Sequence, residues 1–230
     1  MRPHVVIHSQ VSADGRIDWL PIDPGLYYEL ATRWEEDATL AGTDTLLAAV
    51  EQFGEAPEQD ASATDRNGPL LVVPDSRGRL EQWEALLSAG YWRGGLALCT
   101  EVTPKRHLDY LDEVGVESLM AGDDRVDLQA ALECLSVQYG TKTVRVDSGG
   151  TLNGVVLRAR LVDEVSVLIS PYLVGGVTPK SLFRAPDLTD VAGVIGLRLI
   201  GLEQLRDDVA WLRYSVIHNE VDKGSSPTGA

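Results

Sequence analysis

From residue 70 to residue 146 short apolar runs alternate with stretches of helical periodicity, and this alternation limits the fold more than any other feature of the chain. The runs Leu70–Val73, Gly95–Cys99, Val116–Met120 and Lys142–Val146 are separated by helical patterns over Glu81–Ala89, Pro104–Val114 and Leu128–Tyr139. Strands joined through helices must cross over and lie parallel, so an α/β sheet is expected. Upstream, Val5 to Val11 is rich in β-branched residues and ends at the turn signal Asp14-Gly15, which predicts another strand. Pro24 near a first turn, with Leu26, Leu30, Ala31 and Trp34 at helical spacing, predicts a helix over Gly25–Asp37. A short strand over Ala38–Ala41 then runs into Gly42-Thr43.

The stretch "EQFGEAPEQDASATDRNGP", from Glu51 to Pro69, is polar and without period, as a long, mobile surface loop would be. After residue 146 the pattern changes. A helix is predicted near Leu152–Leu161, a strand within "EVSVLISPYLV", and two strands within "VIGLRLIGLEQLRDDVAWLRYSVIH", separated by the turn-prone "RDD". These last two form an antiparallel hairpin at the sheet edge. The organisation expected is one domain over residues 1–218 and a disordered tail over 219–230.

A formal net charge of −15 repels phosphate backbones and no basic cluster offsets it, so nucleic acid is a poor partner. No stretch reads as a signal peptide or membrane span, which suggests a cytoplasmic protein. Cys99 and Cys134 are far apart in apolar surroundings and read as core residues, and the four histidines lack metal-ligand spacing. No metal is expected.

Polar or bare residues follow four of the expected strands: Ser12-Ala13-Asp14-Gly15, Gly42-Thr43-Asp44-Thr45, Asp75-Ser76-Arg77 and Ser148-Gly149-Gly150-Thr151. Ligands of open α/β sheets bind outside the carboxyl ends of the strands, so one elongated anion could touch all four. Each also has a plain structural reading: a turn at Asp14-Gly15, a helix start capped by Thr43, an exposed basic loop at "PDSRGR". "GGTLNG" speaks most clearly for a ligand, since glycines at a strand-to-helix junction let a group such as a pyrophosphate lie against the main chain.

The segments "RPHVVIHSQVSADGRI", "ATLAGTDTL", "LLVVPDSRGRL" and "DSGGTLNGVVLRARLVDEVSVLISPYLVGG" resemble, in order and spacing, the riboflavin-biosynthesis pyrimidine reductase family. The resemblance covers nearly the whole chain. It implies a three-layer, dihydrofolate reductase-like α/β fold with a mixed, mostly parallel sheet closed by the C-terminal antiparallel hairpin. It also implies an NADPH-dependent reductase that turns the ribosylamino group of a phosphorylated pyrimidine into ribitylamino by hydride transfer to C1′.

Carried over by position, Gly149, Gly150 and Thr151 would hold the cofactor pyrophosphate with Gly42 and Thr43 beside them. Ser76 and Arg77 would lie near the 2′-phosphate. Ser12, Asp14 and Gly15 would border the nicotinamide and the substrate, with Asp14 orienting the substrate or relaying a proton, while Trp19, Leu152 and Asn153 would face the substrate. An Arg-bearing loop after a strand favours NADPH over NADH, although Asp75 could instead bond a free ribose 2′-hydroxyl. The apolar C-terminal strands and the resemblance suggest a homodimer formed through sheet edges.

The chain departs from the family pattern in three places. Asp147-Ser148 replaces the usual Glu-Gly at the head of the glycine motif, and "RIDWLPIDPGLYY" replaces a Ser-rich segment. "LLAAVEQFGEAPEQ" stands where an Asp-Asp-Pro and a phosphate-binding Arg are usual. Two alternatives therefore stay open: a reductase of another small substrate, such as a pterin or carbonyl compound, and a nucleotide-binding module without turnover.

Overall fold

The computed structural model describes residues 1–53, 68–177 and 180–218. The expected loop over Glu51–Pro69 falls largely, and the tail over 219–230 wholly, outside the described residues. Strand β1 (His4–Ser12) is buried along nearly its whole length. It is followed by α1 (Pro24–Ala31), which is shorter than the sequence suggested. Thr32–Trp34 tighten into a 3₁₀ turn, and Glu35 adopts φ 44°, ψ 52° and sends its N–H to the Thr32 carbonyl. This left-handed stop turns the next two carboxylates inward. Glu36 reaches Arg145, and Asp37 Oδ2 accepts from the N–H groups of Lys142 and Thr143 at 2.7 and 2.9 Å.

β2 (Ala38–Leu40) leads into α2 (Thr43–Phe53), a helix of which the sequence suggests only a start at Thr43 and which takes in the first three residues of the expected loop. The alternating region then forms as expected, with β3 (Leu70–Pro74), α3 (Trp83–Ser88), β4 (Gly94–Cys99), α4 (Lys105–Glu113), β5 (Glu117–Met120), α5 (Leu128–Gln138) and β6 (Thr143–Val146). Asp127 caps α5 by accepting from the Ala130 N–H. Next comes α6 (Gly150–Arg158), which begins two residues before the expected start, so that Gly150 lies inside the helix and not in a loop ahead of it. Arg160, at φ 57°, terminates it. β7 (Glu164–Ser170) follows, and β8 (Leu197–Gln204) and β9 (Ala210–Val216) are joined through a tight turn at Arg206–Asp208.

The chain divides into two compact units. The first, residues 1–4 and 30–149, orders its strands β5-β4-β3-β2-β6 with every neighbour parallel. β3 and β4 are almost continuously buried, as strands covered on both faces must be. Trp83, Leu71, Val73, Leu80, Ala97 and Leu111 make its core. Gly95 leaves room for the Trp83 indole, whose ring would lie 2.7 Å from a Cβ at that position. Cys99 belongs to this core, whereas Cys134 is only half-buried.

The second unit, residues 5–29 and 150–230, pairs β1 with β7 in parallel, β7 with β9 antiparallel and β9 with β8 antiparallel. The fold class is thus α/β, parallel through β7 and closed by an antiparallel hairpin. A polar seam runs through the apolar strands: Ser166 Oγ accepts from Trp211 Nε1 at 2.8 Å and meets His8 Nδ1 at 2.9 Å, and Gln10 Nε2 donates to Ser170 Oγ at 2.8 Å. Burial without such partners would cost each polar group about 1–3 kcal/mol. β8 is exposed along most of its length, including Leu199, Ile200 and Leu202.

Candidate functional site

In the first unit three loops leave the carboxyl ends of neighbouring parallel strands β3, β2 and β6, and side-chain hydroxyls fasten them together. Thr43 Oγ1 donates to the Pro74 carbonyl at 2.9 Å, so the hydroxyl joins two strand ends and does more than start a helix. The Gly42 N–H donates to Ser148 Oγ and the Gly149 N–H to Thr45 Oγ1, each at 3.1 Å, while the two hydroxyl oxygens lie 3.2 Å apart. Two main-chain donors that the sequence presents as bare are therefore met from within. Hydroxyls both give and accept hydrogen bonds, so this cluster can exchange its internal bonds for those of a phosphate oxygen. Sequence reasoning places Thr45 and Ser148 at strand ends but assigns neither of them a role. The available signals were the second threonine of "GTDT" and the serine standing where the family has glycine.

Beside this cluster, Asp44, Pro74, Asp75, Ser76, Arg77 and Arg79 line a cleft of about 220 Å³. Arg77 is exposed, and Arg79 Nη2 pairs with Asp44 Oδ1 at 2.8 Å. Asp75 is only 2% exposed, and its Oδ2 accepts from the N–H groups of Arg79 and Leu80 at 2.7 and 2.8 Å. Oδ2 of its carboxylate is thus engaged by its own loop. His107 Nε2 lies 3.5 Å from the same oxygen. Gly78 has φ +62° and its Cβ position lies 2.6 Å from His107 Cβ, so the loop needs glycine for both its dihedral and its closeness to the ring. Thr103 Oγ1 donates to the Ser76 carbonyl at 3.0 Å and steadies the tip.

Below the glycine motif, Arg145 on β6 is wholly buried. Its Nε and Nη2 grip Glu36 at 2.7 and 2.9 Å, and Nη1 donates to Asp147 Oδ2 at 2.7 Å. Tyr91 donates its hydroxyl to Glu36 Oε1 at 2.9 Å. Burial pushes the Glu36 carboxyl above its ordinary range even though Arg145 opposes the shift. Burial, reinforced by the Glu36 charge, pushes the Tyr91 phenol up to about 12. Asp147, one of the departures from the family pattern, is therefore held by a buried guanidinium directly ahead of Ser148.

In the second unit the turn after β1 is built around Asp14. Ser12 Oγ donates to Asp14 Oδ1 at 2.6 Å and accepts from the Arg16 N–H at 2.9 Å. Val174 N–H reaches Asp14 Oδ1 at 3.0 Å, and Gly175 N–H reaches Oδ2 at 2.7 Å. Gly15 has φ +78° and open space where a Cβ would stand, so dihedral alone calls for glycine there. The Ser12 hydroxyl first, then the two N–H groups, hold the Asp14 carboxyl well below the usual carboxylate range. Asp14 is exposed, and at neutral pH it offers a fixed negative charge and a hydrogen-bond acceptor. Trp19 is 86% exposed and has φ 61°, a conformation that costs free energy in a bulky residue.

On α6, Thr151 is exposed and Leu152 half-buried, while Asn153 is fully buried and donates from Nδ2 to the Leu182 carbonyl at 3.0 Å. The segment that follows "LVGG" lies across this helix. Arg184 N–H donates to the Gly150 carbonyl at 2.9 Å. A Cβ on Gly150 would overlap the Ser181 carbonyl oxygen, and one on Gly154 the Arg184 carbonyl. The expectation that Gly150 is bare for an outside ligand needs correction on this point: the chain's own backbone already requires it. The last glycine of "GGTLNG", Gly154, has the same cause.

Comparison with known proteins adds the following. A relative in Methanothermobacter thermautotrophicus (strain ATCC 29096 / DSM 1053 / JCM 10044 / NBRC 100330 / Delta H), named as a 2,5-diamino-6-ribosylamino-4(3H)-pyrimidinone 5′-phosphate reductase, is 29% identical over 215 residues, spanning 91% of this chain and 96% of its own. A protein of the same name in Aquifex aeolicus (strain VF5) is 25% identical over 209 residues, spanning 86% of this chain and 90% of its own. The crystal structure of a pyrimidine reductase-like protein from Corynebacterium diphtheriae superposes with a TM-score of 0.71 at 17% identity, covering 94% of this chain and 93% of that one, which supports the fold. The RibD C-terminal domain family matches residues 3–211. With a match across all but the ends of the chain, this protein belongs to the RibD C-terminal domain family.

Proposed function

We propose that the protein is an NADPH-dependent oxidoreductase of riboflavin biosynthesis, which converts the ribosylamino group of a phosphorylated pyrimidine to ribitylamino. The names of its relatives support the reaction class. The observation that carries the cofactor is the cleft bearing Arg77 and Arg79 beside a cluster of hydroxyls and glycine N–H groups at parallel strand ends. These donors fit the phosphates of a dinucleotide, whose nicotinamide supplies the hydride when bound.

Gly42, Thr43, Gly149, Gly150 and Thr151 take the pyrophosphate, with the hydroxyls of Thr45 and Ser148 exchanging their internal bonds for phosphate oxygens. Ser76 and Arg77 take the 2′-phosphate; a guanidinium is suited to it because it offers paired donors to phosphate oxygens. Ser12, Asp14 and Gly15 border the nicotinamide and substrate, and the ionised Asp14 orients substrate hydroxyls and favours positive charge developing at C1′. Trp19 offers an exposed aromatic face to the pyrimidine, with Leu152 lining its path. Asn153 acts from beneath by holding Leu182. The protein works in the cytoplasm as a homodimer, whose partner copy covers the exposed apolar residues of β8.

A second substrate deserves a test because α2, which stands where the family's phosphate-binding Arg follows its Asp-Asp-Pro, carries no Lys or Arg. NADPH oxidation should be followed with the ribosylamino-pyrimidine in its 5′-phosphorylated and dephosphorylated forms, and with a pterin. Turnover of the phosphorylated form alone supports the proposal. Equal turnover of both ribosyl forms removes the phosphate from the recognised substrate, and turnover of the pterin alone refutes the reaction.

A further inference from the structure

We propose that Asp44 is a selectivity residue of the β3 cleft: it holds Arg79 in an exchangeable ion pair that a 2′-phosphate must displace, and so restrains the preference for NADPH. This rests on reading the cleft as the 2′-phosphate site. The cleft is lined by two cations, Arg77 and Arg79, and two acids, Asp44 and Asp75, so its ionisable side chains sum to zero formal charge. A dianionic phosphate therefore meets no net attraction there while all four are charged.

The two acids are not equivalent. Asp75 is buried, and its Oδ2 is fixed by two N–H groups of its own loop, so it cannot withdraw. The Asp44 side chain is 80% exposed, and Arg79, its partner at 2.8 Å, is 46% exposed. Such a pair is weak and exchanges readily with solvent or with a better anion. Asp44 nevertheless stays beside the cleft, because Thr43 Oγ1 fastens the first turn of α2 to the Pro74 carbonyl. When a phosphate takes Arg79, the Asp44 carboxylate remains nearby as a like charge. A cofactor ending in a 2′-hydroxyl leaves the Asp44–Arg79 pair intact and pays neither penalty.

Asp44→Asn keeps size and helix position while removing the charge. It should tighten NADPH binding about three- to tenfold, the range expected from releasing one exposed ion pair and one like charge, and leave NADH affinity unchanged. The experiment is fluorescence titration of the full chain with each cofactor, on wild type, Asp44→Asn, Arg79→Gln and the double variant, beside thermal melts without ligand. In the Arg79→Gln background the effect of Asp44→Asn should shrink, because the displaced pair no longer exists. Should Asp44→Asn fold poorly, Asp44→Ser, which also suits a helix start, carries the same test.

Wild-type preference for NADPH with an NADPH-to-NADH affinity ratio unmoved by Asp44→Asn overturns the role of Asp44 and leaves the cofactor reading standing. Equal gains for both cofactors overturn it also, since the residue then acts through the fold. No preference for NADPH in either wild type or Asp44→Asn overturns the cofactor reading itself, and this proposal with it. Equal affinities in wild type that diverge in favour of NADPH in Asp44→Asn support both.

Discussion

Gly154→Ala separates a glycine that serves the chain's own packing from one that serves a ligand. The position lies within α6, where alanine is the better helix former by about 1 kcal/mol, so propensity alone predicts a stabilised variant. Geometry predicts the reverse. The added Cβ would lie 2.6 Å from the Arg184 carbonyl carbon, with the carbonyl oxygen closer still, whereas carbon atoms rest at about 3.5 Å or more. The 181–184 segment must therefore move by more than about 1 Å or the helix must tilt, and overpacking of this kind costs about 1–3 kcal/mol. Movement also strains the Arg184 N–H bond to the Gly150 carbonyl and the Asn153 bond to Leu182, at about 0.5–1.5 kcal/mol each. Setting the propensity gain against these terms leaves a net loss of about 1–5 kcal/mol, or a melting temperature lower by roughly 2–20 °C for a chain of this size. Melts followed by circular dichroism, without ligand, on wild type, Gly154→Ala and Val155→Ala measure it. Val155 is half-exposed on the same helix and should hardly shift. A Gly154→Ala melt at or above wild type would show that the segment does not rest on α6 and would remove the packing explanation for Gly150 as well.

Arg77→Ala should weaken NADPH and leave NADH nearly unchanged, because under the proposed function the guanidinium meets only the 2′-phosphate; calorimetric titration showing equal losses for both would mean the loop is misread. Arg145→Met should leave the buried Glu36 carboxylate without its guanidinium at a cost of about 3–5 kcal/mol, and adding Glu36→Gln should recover part of the lost melting temperature; a single variant that melts like wild type refutes the network's importance. The folded pKa of Asp14 is depressed, so its contribution to stability is present above the unfolded pKa of about 4 and is lost as pH falls through the folded value. The melting-temperature gap between wild type and Asp14→Asn should accordingly begin to narrow below about pH 4 and go on narrowing toward stronger acid, and a gap constant into strong acid would refute the assignment. Light scattering at moderate and high salt should give a dimer, which Leu199→Asp on β8 should split; a wild-type monomer at micromolar concentration excludes the homodimer.

Much of the backbone was legible because period reports burial. The runs at β3, β4 and β6 and the helices α3, α4 and α5 fall within one or two residues of their expected bounds, since each is a long-period pattern meeting a covered sheet. The errors lie where tertiary partners override local preference. Helical spacing through Trp34 gave no warning that Glu35 would break the helix, and Arg145, the partner that Glu36 then reaches, lies more than a hundred residues away. Glycine at 150 reads as a loop residue by propensity, yet it lies in the helix, with the 181–184 backbone packed where a Cβ would stand. The site shows the same division. The strand-end positions of Gly42, Ser76 and Gly149 follow from topology, but the bonding of Thr45 and Ser148 does not, since one-sequence patterns cannot show which hydroxyl meets which N–H.

That bonding bears on how an anion would be received. A bare N–H in water carries a hydration shell that a phosphate must displace, whereas the N–H groups of Gly42 and Gly149 are already aimed at oxygen atoms held about 3 Å away. Thr45 and Ser148 thus keep the donors directed while the fastening of Thr43 to Pro74 and the Arg145–Asp147 pair keep the loops in place. The cost to a ligand is that it must outcompete two neutral hydroxyls, and a charged phosphate does so because charge-assisted hydrogen bonds are roughly twice as strong as neutral ones. Ser148→Ala should therefore act in two opposed ways. It removes a competitor for the Gly42 N–H, which favours binding, and it releases the loop that Ser148 holds, which disfavours it. If holding the loops dominates, the association rate for NADPH falls, because the donors must be ordered at each encounter. If competition dominates, the dissociation rate falls and the association rate stays as in wild type. Stopped-flow binding resolves the two rates, and a variant unchanged in both would show that the Ser148 hydroxyl has no part in receiving the cofactor.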